Sequence, residues 1–147
     1  MDIEVAQALY TVRRLPGEEL PNIAVELLAR GFDTPLVRQI AGLHRPTLRD
    51  AGALFERVLA ELGRAEMSRE EVARVIARDL AQRVLAGQLA PREAAERGSS
   101  FCPDTGYPDV LMRFLAQADD YECCPDQSVS IDGEVVAYAK EILAGPS

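Results

Sequence analysis

Residues that start and stop helices recur along this chain at short intervals, and they constrain its fold more than any other feature. Starts are marked by a capping side chain or an early proline, as in Thr34-Pro35 and in the pair Ser68 and Glu71. Stops are marked by glycine, as at Gly63. Between these signals, apolar side chains recur at steps of three and four residues, which is the helical period. The punctuation therefore predicts an all-α protein.

The same signals predict six to seven helices joined by short links, packed as an irregular or orthogonal bundle. Aromatic residues make up only 5% of the chain, while alanine and leucine dominate it. This composition favours helices over sheets, which are enriched in β-branched and aromatic residues. At 147 residues the chain suits one helical domain over residues 1–147. We expect residues 101–147 to be an acidic C-terminal portion of it and not a separate domain.

Two segments are less regular. Residues 98–108, "GSSFCPDTGYP", are rich in Gly, Ser and Pro and predict the one substantial loop. Residues 128–136, "SVSIDGEVV", suit either a hairpin across Asp132-Gly133 or the start of a helix. The helical spacing of the residues that follow, and the poor stability of a lone hairpin, favour the helix.

Charge is distributed very unevenly along the chain. The net charge is −8, and residues 101–147 hold nine acidic residues against only Arg113 and Lys140. Such a region repels phosphate backbones and attracts basic partners, at a rate that falls as salt rises. The alternative interpretation is a surface that only keeps the protein soluble.

The stretch "ADDYECCPD", residues 118–126, concentrates this charge beside two neighbouring cysteines. We expect it to be a partner-binding surface, formed by Asp119, Asp120, Tyr121, Glu122 and Asp126. The carboxylates would face a basic protein, and Tyr121 would be the aromatic anchor that interfaces favour. This predicts a non-enzymatic binding module, either an immunity-like inhibitor or an adaptor.

The three cysteines suggest a second class of function, a thiol or metal sensor that uses Cys102, Cys123 and Cys124. A structural zinc site usually has four ligands arranged as two close pairs, and neighbouring cysteine side chains tend to diverge. We therefore expect no metal site and no cofactor. A disulfide bond from Cys102 to Cys123 or Cys124 would require an oxidising compartment. In a reducing one, Cys102 would be a small core residue.

A helix-turn-helix DNA-binding regulator is the remaining alternative. Residues 33–59 scan as a short helix, a turn and a longer helix, with Arg45 and Arg49 near the start of the second. The acidic total and Asp50 in the same turn argue against nucleic acid. We also expect no enzymatic activity, because no phosphate loop or nucleophile motif is present and His44 lies in a helix link.

The expected location is the cytoplasm. The N-terminus lacks the pattern of a secretory signal, and no apolar run approaches the ~20 residues of a membrane helix. The cysteines would then be reduced thiols. The sequence indicates neither the oligomeric state nor the identity of a partner.

Three segments carry a resemblance to known sequences: "LPNIAVELLARGFDTPLVRQIAGL" at residues 20–43, "LFERVLAELG" at 54–63 and "AQRVLAGQLAPREAA" at 81–95. They resemble small acidic helical proteins of high-GC bacteria that have no assigned activity. A source of that kind fits the fifteen arginines and one lysine. The resemblance implies a helical fold and no functional residue, and the last third of the chain departs from it most.

Overall fold

The protein is helical throughout the part that its computed structural model describes, residues 1–145, where no β-strand occurs. Nine α-helices lie in this range, with 3₁₀ turns at Gly17–Glu19 and Pro125–Gln127. The helices are α1 (Ile3–Thr11), α2 (Leu20–Ala29), α3 (Pro35–Ala41), α4 (Leu48–Glu61), α5 (Arg69–Leu85), α6 (Pro91–Ser100), α7 (Cys102–Thr105), α8 (Asp109–Cys123) and α9 (Ser128–Ala144). The all-α prediction is confirmed, and the predicted number of six to seven helices is too low.

Contacts divide the chain into two compact units, Met1–Met67 and Ser68–Ser147. The single domain expected over residues 1–147 stays a prediction. Within the described residues, no helix has both the length and the apolar composition needed to cross a membrane.

Capping side chains begin the helices where the sequence predicts them. Thr34 caps α3 by accepting a hydrogen bond from the amide of Val37, at 3.3 Å. The capping box of α5 is complete: the Glu71 amide donates to the Ser68 hydroxyl at 3.1 Å, and the Glu71 carboxylate accepts from the Ser68 amide at 2.7 Å. The bond from the Ser68 amide is the main reason why the pKa of Glu71 is lowered. Thr47 and Asp50 form a second capping box at the start of α4.

The segment predicted as a loop, residues 98–108, is mostly helical, and that prediction is wrong. α6 continues to Ser100, and α7 occupies Cys102–Thr105. Pro103 is tolerated because it lies in the first turn of α7, where backbone donors have no helical partner. Gly106 ends this turn with φ of 79°. By contrast, the helix preferred for residues 128–136 is confirmed, because α9 begins at Ser128.

Unit Met1–Met67 has a core contributed by its four helices. Its centre is Phe55 of α4, which is 1% exposed and meets the ring of Tyr10 edge-on, with centroids 5.3 Å apart. Further buried side chains come from every helix: Ala6, Leu20, Ile23, Ala24, Leu27, Val37, Ile40, Ala51, Val58 and Leu59. Aliphatic side chains at helical spacing thus fill this unit around a single aromatic pair.

Unit Ser68–Ser147 packs α5, α6, α8 and α9 against one another. Phe114 of α8 meets Tyr138 of α9 edge-on, with ring centroids 5.2 Å apart. The Tyr138 hydroxyl donates to the Val110 carbonyl at 2.7 Å, so this buried phenol is satisfied. Small residues let α6 approach α8 closely, since a Cβ at Gly98 would lie 2.6 Å from the Phe114 ring. This contact fixes the position of α8 against α6.

Replacing Gly98 with alanine should therefore destabilise the protein. The new methyl group would overlap the ring and the Cβ of Phe114, which is fully buried, so helices must shift. We expect a loss of about 1–3 kcal/mol in the free energy of unfolding, measured with urea.

Gly133→Ala is the matched control. Gly133 lies in α9, and no atom of the described chain lies within 4 Å of a Cβ built there. Alanine is the better helix former, so this variant should gain about 0.5–1 kcal/mol. Equal effects of the two substitutions would show that α6 and α8 do not depend on the contact at Gly98.

Candidate partner-binding surface

The four predicted carboxylates lie together at one end of α8. Asp119, Asp120 and Glu122 occupy the last turns of this helix, and Asp126 lies in the 3₁₀ turn that follows. All four residues are exposed. We call this set, Asp119, Asp120, Glu122 and Asp126, the acidic surface.

The acidic surface opposes the electrostatics of its own helix. The C-terminal end of a helix carries partial negative charge from unpaired carbonyl groups, and cations stabilise it. α8 has no basic residue in its last turn, where Asp120 and Glu122 stand instead. The charge placement therefore does not serve helix stability. Residues that lower the stability of their own helix without a compensating contact are typical of functional sites.

Three arginines of the same unit pair with other carboxylates. Arg113 pairs with Glu141 at 2.8 Å, and Arg92 pairs with Glu96 at 2.9 Å. Arg97 pairs with Glu93, one helical turn away, at 2.5 Å. Within residues 1–145, none of the four carboxylates of the acidic surface forms an ion pair with an arginine or lysine. Their negative charge is left uncompensated at the surface.

Tyr121, predicted as the aromatic anchor of this surface, is buried and not part of it. The residue is 2% exposed, and its hydroxyl donates to the Asp132 carboxylate of α9 at 2.5 Å. The Arg92 guanidinium of α6 lies 5.7 Å from the ring centroid. Burial, followed by the bond to Asp132, raises the pKa of Tyr121. Tyr121 thus joins three helices from inside the unit.

The sequence carries a signal for the burial of Tyr121. Leu111, Phe114 and Tyr121 lie on one helical face, at steps of three and seven residues, and all three are buried. The acidic neighbours of Tyr121 point away from this face toward solvent, because adjacent helical positions are rotated by about 100°. One helix therefore presents a core face and a charged face at the same level.

The cysteines do not form one group. Cys102 is buried in α7, with burial raising the pKa of its thiol, as expected for a core residue. Cys123 is exposed and Cys124 is partly exposed, and the Cys124 thiol donates to Cys123 Sγ at 3.3 Å. Within residues 1–145, no group of three or more His, Cys, Asp or Glu side chains is placed to hold a metal ion.

The two arginines of the predicted helix-turn-helix lie on the surface of the other unit. Arg45 and Arg49 are exposed, as is His44 in the link between α3 and α4. Asp50 is occupied by the capping box with Thr47, so a carboxylate sits at the start of the helix that would read DNA. α3 spans only seven residues. The start of α4 and the link before it therefore present Arg45, Arg49 and the Asp50 carboxylate to nucleic acid.

A polar cleft of about 430 Å³ in unit Met1–Met67 was not predicted from the sequence. Its central side chain is Gln7, which is 4% exposed. The amide of Gln7 donates to the Ala65 carbonyl at 2.7 Å and accepts from Arg64 Nε at 2.6 Å. Gln7 thereby ties residues 64–65 to α1. A glutamine flanked by two alanines inside an apolar helix is the signal that indicates such a buried polar contact.

Tyr10 lines the same cleft and donates to Glu56 Oε1 at 2.6 Å. Burial and this hydrogen bond raise the pKa of Tyr10 to about 12. Gln7, Tyr10, Glu56 and Arg64 of the cleft are thus held by hydrogen bonds. These contacts support the fold.

Comparison of the chain with models of known protein families, with curated proteins and with solved structures finds no match.

The raised pKa of Tyr10 predicts a loss of stability in alkali. Below the ordinary pKa of about 10, the phenol is protonated in both the folded and the unfolded chain. Above it, the unfolded phenol ionises while the folded one resists until about pH 12, so the free energy of unfolding falls over this window. Tyr10→Phe should reduce that fall, measured by urea unfolding at about pH 9 and pH 11. An unchanged fall would contradict the shift.

Tyr121→Phe should destabilise the protein by about 1–2 kcal/mol, because it removes a hydrogen bond to the partly buried Asp132 carboxylate. The control is Tyr107→Phe, since Tyr107 is 55% exposed and should contribute almost nothing. Thermal melts of both variants provide the comparison. A Tyr121→Phe variant that kept full stability and lost binding to a basic peptide would restore the surface-anchor interpretation.

Proposed function

We propose that the protein is a non-enzymatic binding module that recognises a basic protein through the acidic surface. The observation that carries the proposal is the placement of its carboxylates. They are exposed, they lack ion pairs in the described chain, and three of them stand at the end of α8 where cations would stabilise the helix. A cationic partner would supply the missing charge.

In the proposed recognition, long-range electrostatic attraction acts first and short-range contacts act second. The uncompensated charge of the acidic surface steers a cationic partner, and desolvated contacts then hold it. An immunity-like inhibitor of a basic toxin and an adaptor for a basic protein are both modules of this type. We place the protein in the cytoplasm, which the three free cysteines support. We also propose that the helices pack as an irregular or orthogonal bundle.

The test uses a synthetic lysine-rich peptide as the probe, with association followed by stopped-flow fluorescence. The triple variant Asp119→Asn, Asp120→Asn, Glu122→Gln should associate about three- to tenfold more slowly than the unaltered protein at low salt. The difference should shrink toward physiological salt, as screening shortens the range of the field.

A matched control removes the same charge from the other unit. Glu18→Gln, Glu19→Gln, Glu66→Gln also adds three units to the net charge, and these side chains form no ion pair within residues 1–145. This variant should associate at close to the original rate. Equal slowing by the two triple variants would overturn the proposal, because the net charge and not the acidic surface would then govern binding.

A helix-turn-helix regulator is the second candidate, favoured by the exposure of Arg45 and Arg49 beside the start of α4. A gel shift with a mixed-sequence DNA duplex at low salt discriminates it from the acidic module. The proposal above requires no retardation. Retardation that is lost in Arg45→Ala, Arg49→Ala would replace it with the DNA-binding function.

A further inference from the structure

Two neighbouring thiols converge at the end of α8. Cys123 Sγ and Cys124 Sγ lie 3.3 Å apart, although side chains of adjacent residues usually point away from each other. The convergence follows from the backbone, because the helix ends at Cys123 and Cys124 takes φ of −131° and ψ of 64°. The expectation that these side chains diverge is therefore wrong.

The pair is poorly placed to form a disulfide with itself. No described peptide bond is cis, so the two Cα atoms are joined by a trans peptide and lie about 3.8 Å apart. Disulfide-bonded cysteines normally need Cα atoms about 4.4–6.8 Å apart. A single atom inserted between the sulfurs makes the ring one member larger and relieves this restriction. The geometry thus favours a bridging atom over a direct S–S bond.

The distance between the sulfurs suits a bridging atom with a narrow bond angle. With a bond of about 2.3 Å to each sulfur, tetrahedral zinc needs sulfurs about 3.8 Å apart. Sulfurs 3.3 Å apart correspond to an angle at the bridging atom of about 90° for the same bond length. Angles near a right angle are typical of trivalent arsenic, whose lone pair occupies the remaining position.

The number of ligands points the same way. Among the described residues, no third cysteine, histidine or carboxylate completes a metal-binding group at the pair. A structural zinc ion would lack half of its usual four ligands. A trivalent arsenical that already carries one carbon substituent has two bonds left for sulfur, which is the number the pair offers.

We propose that Cys123 and Cys124 form a dithiol site for monosubstituted trivalent arsenicals. The reacting species is the neutral dihydroxide, R–As(OH)₂. Each thiol sulfur replaces one hydroxide on arsenic, and each thiol proton leaves with that hydroxide as water. Two S–As bonds form, two As–O bonds break and two waters are released. Arsenic remains trivalent, so the step requires no oxidant or reductant.

Access and charge suit this reagent. Cys123 is exposed and Cys124 is partly exposed, so a small molecule reaches both sulfurs. Asp120 and Asp126 add negative charge around Cys124, which repels anionic thiol reagents. A neutral arsenic dihydroxide is not repelled. Cys102 is 1% exposed and plays no part in the site.

The probe is phenylarsine oxide, added to the reduced protein. Intact-mass spectrometry measures the stoichiometry of the adduct, and a competition assay measures its affinity. We expect one phenylarsenic group per chain, with two thiol hydrogens lost. Cys123→Ser and Cys124→Ser should each bind at least about 100-fold more weakly, because a single thiol loses the advantage of chelation. Cys102→Ala is the matched control and should bind as the unaltered protein does.

A second measurement does not depend on the variants folding. Excess dimercaptopropanol, a dithiol, should strip the adduct from the unaltered protein, whereas the same thiol concentration of mercaptoethanol should leave it in place. Stripping by mercaptoethanol, or an adduct that survives in Cys123→Ser, would show attachment through one thiol and overturn the proposal. Loss of the adduct in Cys102→Ala, or stoichiometric zinc binding at the pair with comparable affinity, would overturn it as well.

Discussion

The contact between Gly98 of α6 and the Phe114 ring of α8 is the constraint on which the second unit depends. It brings the two backbones close together, and the same Phe114 ring meets Tyr138 of α9, with ring centroids 5.2 Å apart. Once α8 is fixed in this way, its helical period decides which side chains are buried and which face water. Tyr121 falls on the core face and bonds to Asp132, while Asp119, Asp120 and Glu122 fall on the solvent face. The acidic surface is therefore held by the same helix that closes the core, and its geometry is as well defined as the packing beneath it.

The helix ends were the most predictable part of this fold, because capping is a local interaction. Thr34 and Ser68 satisfy backbone donors within three residues of themselves, so the sequence alone contains both partners. The errors lie where a distant contact decides. Gly98, Ser99 and Ser100 have poor helical propensity. They are nevertheless helical, because the ring of Phe114, sixteen positions later in the chain, packs against Gly98.

At the candidate site, too, local features can be predicted from the sequence, whereas contacts with distant residues cannot. Exposure of the four carboxylates follows from composition, since charged side chains are rarely buried without a partner. Tyr121 lies on the apolar face of α8, but the acceptor of its hydroxyl, Asp132, lies eleven positions later on another helix. The convergence of the two thiols depends on the dihedral angles of a single residue, Cys124, after the helix has ended. Sequence patterns rarely specify angles at such irregular positions.

Electrostatics links the two proposals made for this end of α8. The pKa of the Cys124 thiol is raised, first by its hydrogen bond to Cys123, then by desolvation and by the charges of Cys123, Asp126 and Asp120. Thiolates are the species that attack disulfides, so a raised pKa slows oxidative exchange at the pair. Exchange with a neutral arsenic dihydroxide involves no net change in charge, because each thiol proton leaves as part of a water molecule. The carboxylates that would attract a cationic protein therefore also favour the thiol form of Cys124. Neutralising them for the binding test should leave the arsenical site intact, because arsenic is held by the two sulfurs and by no carboxylate.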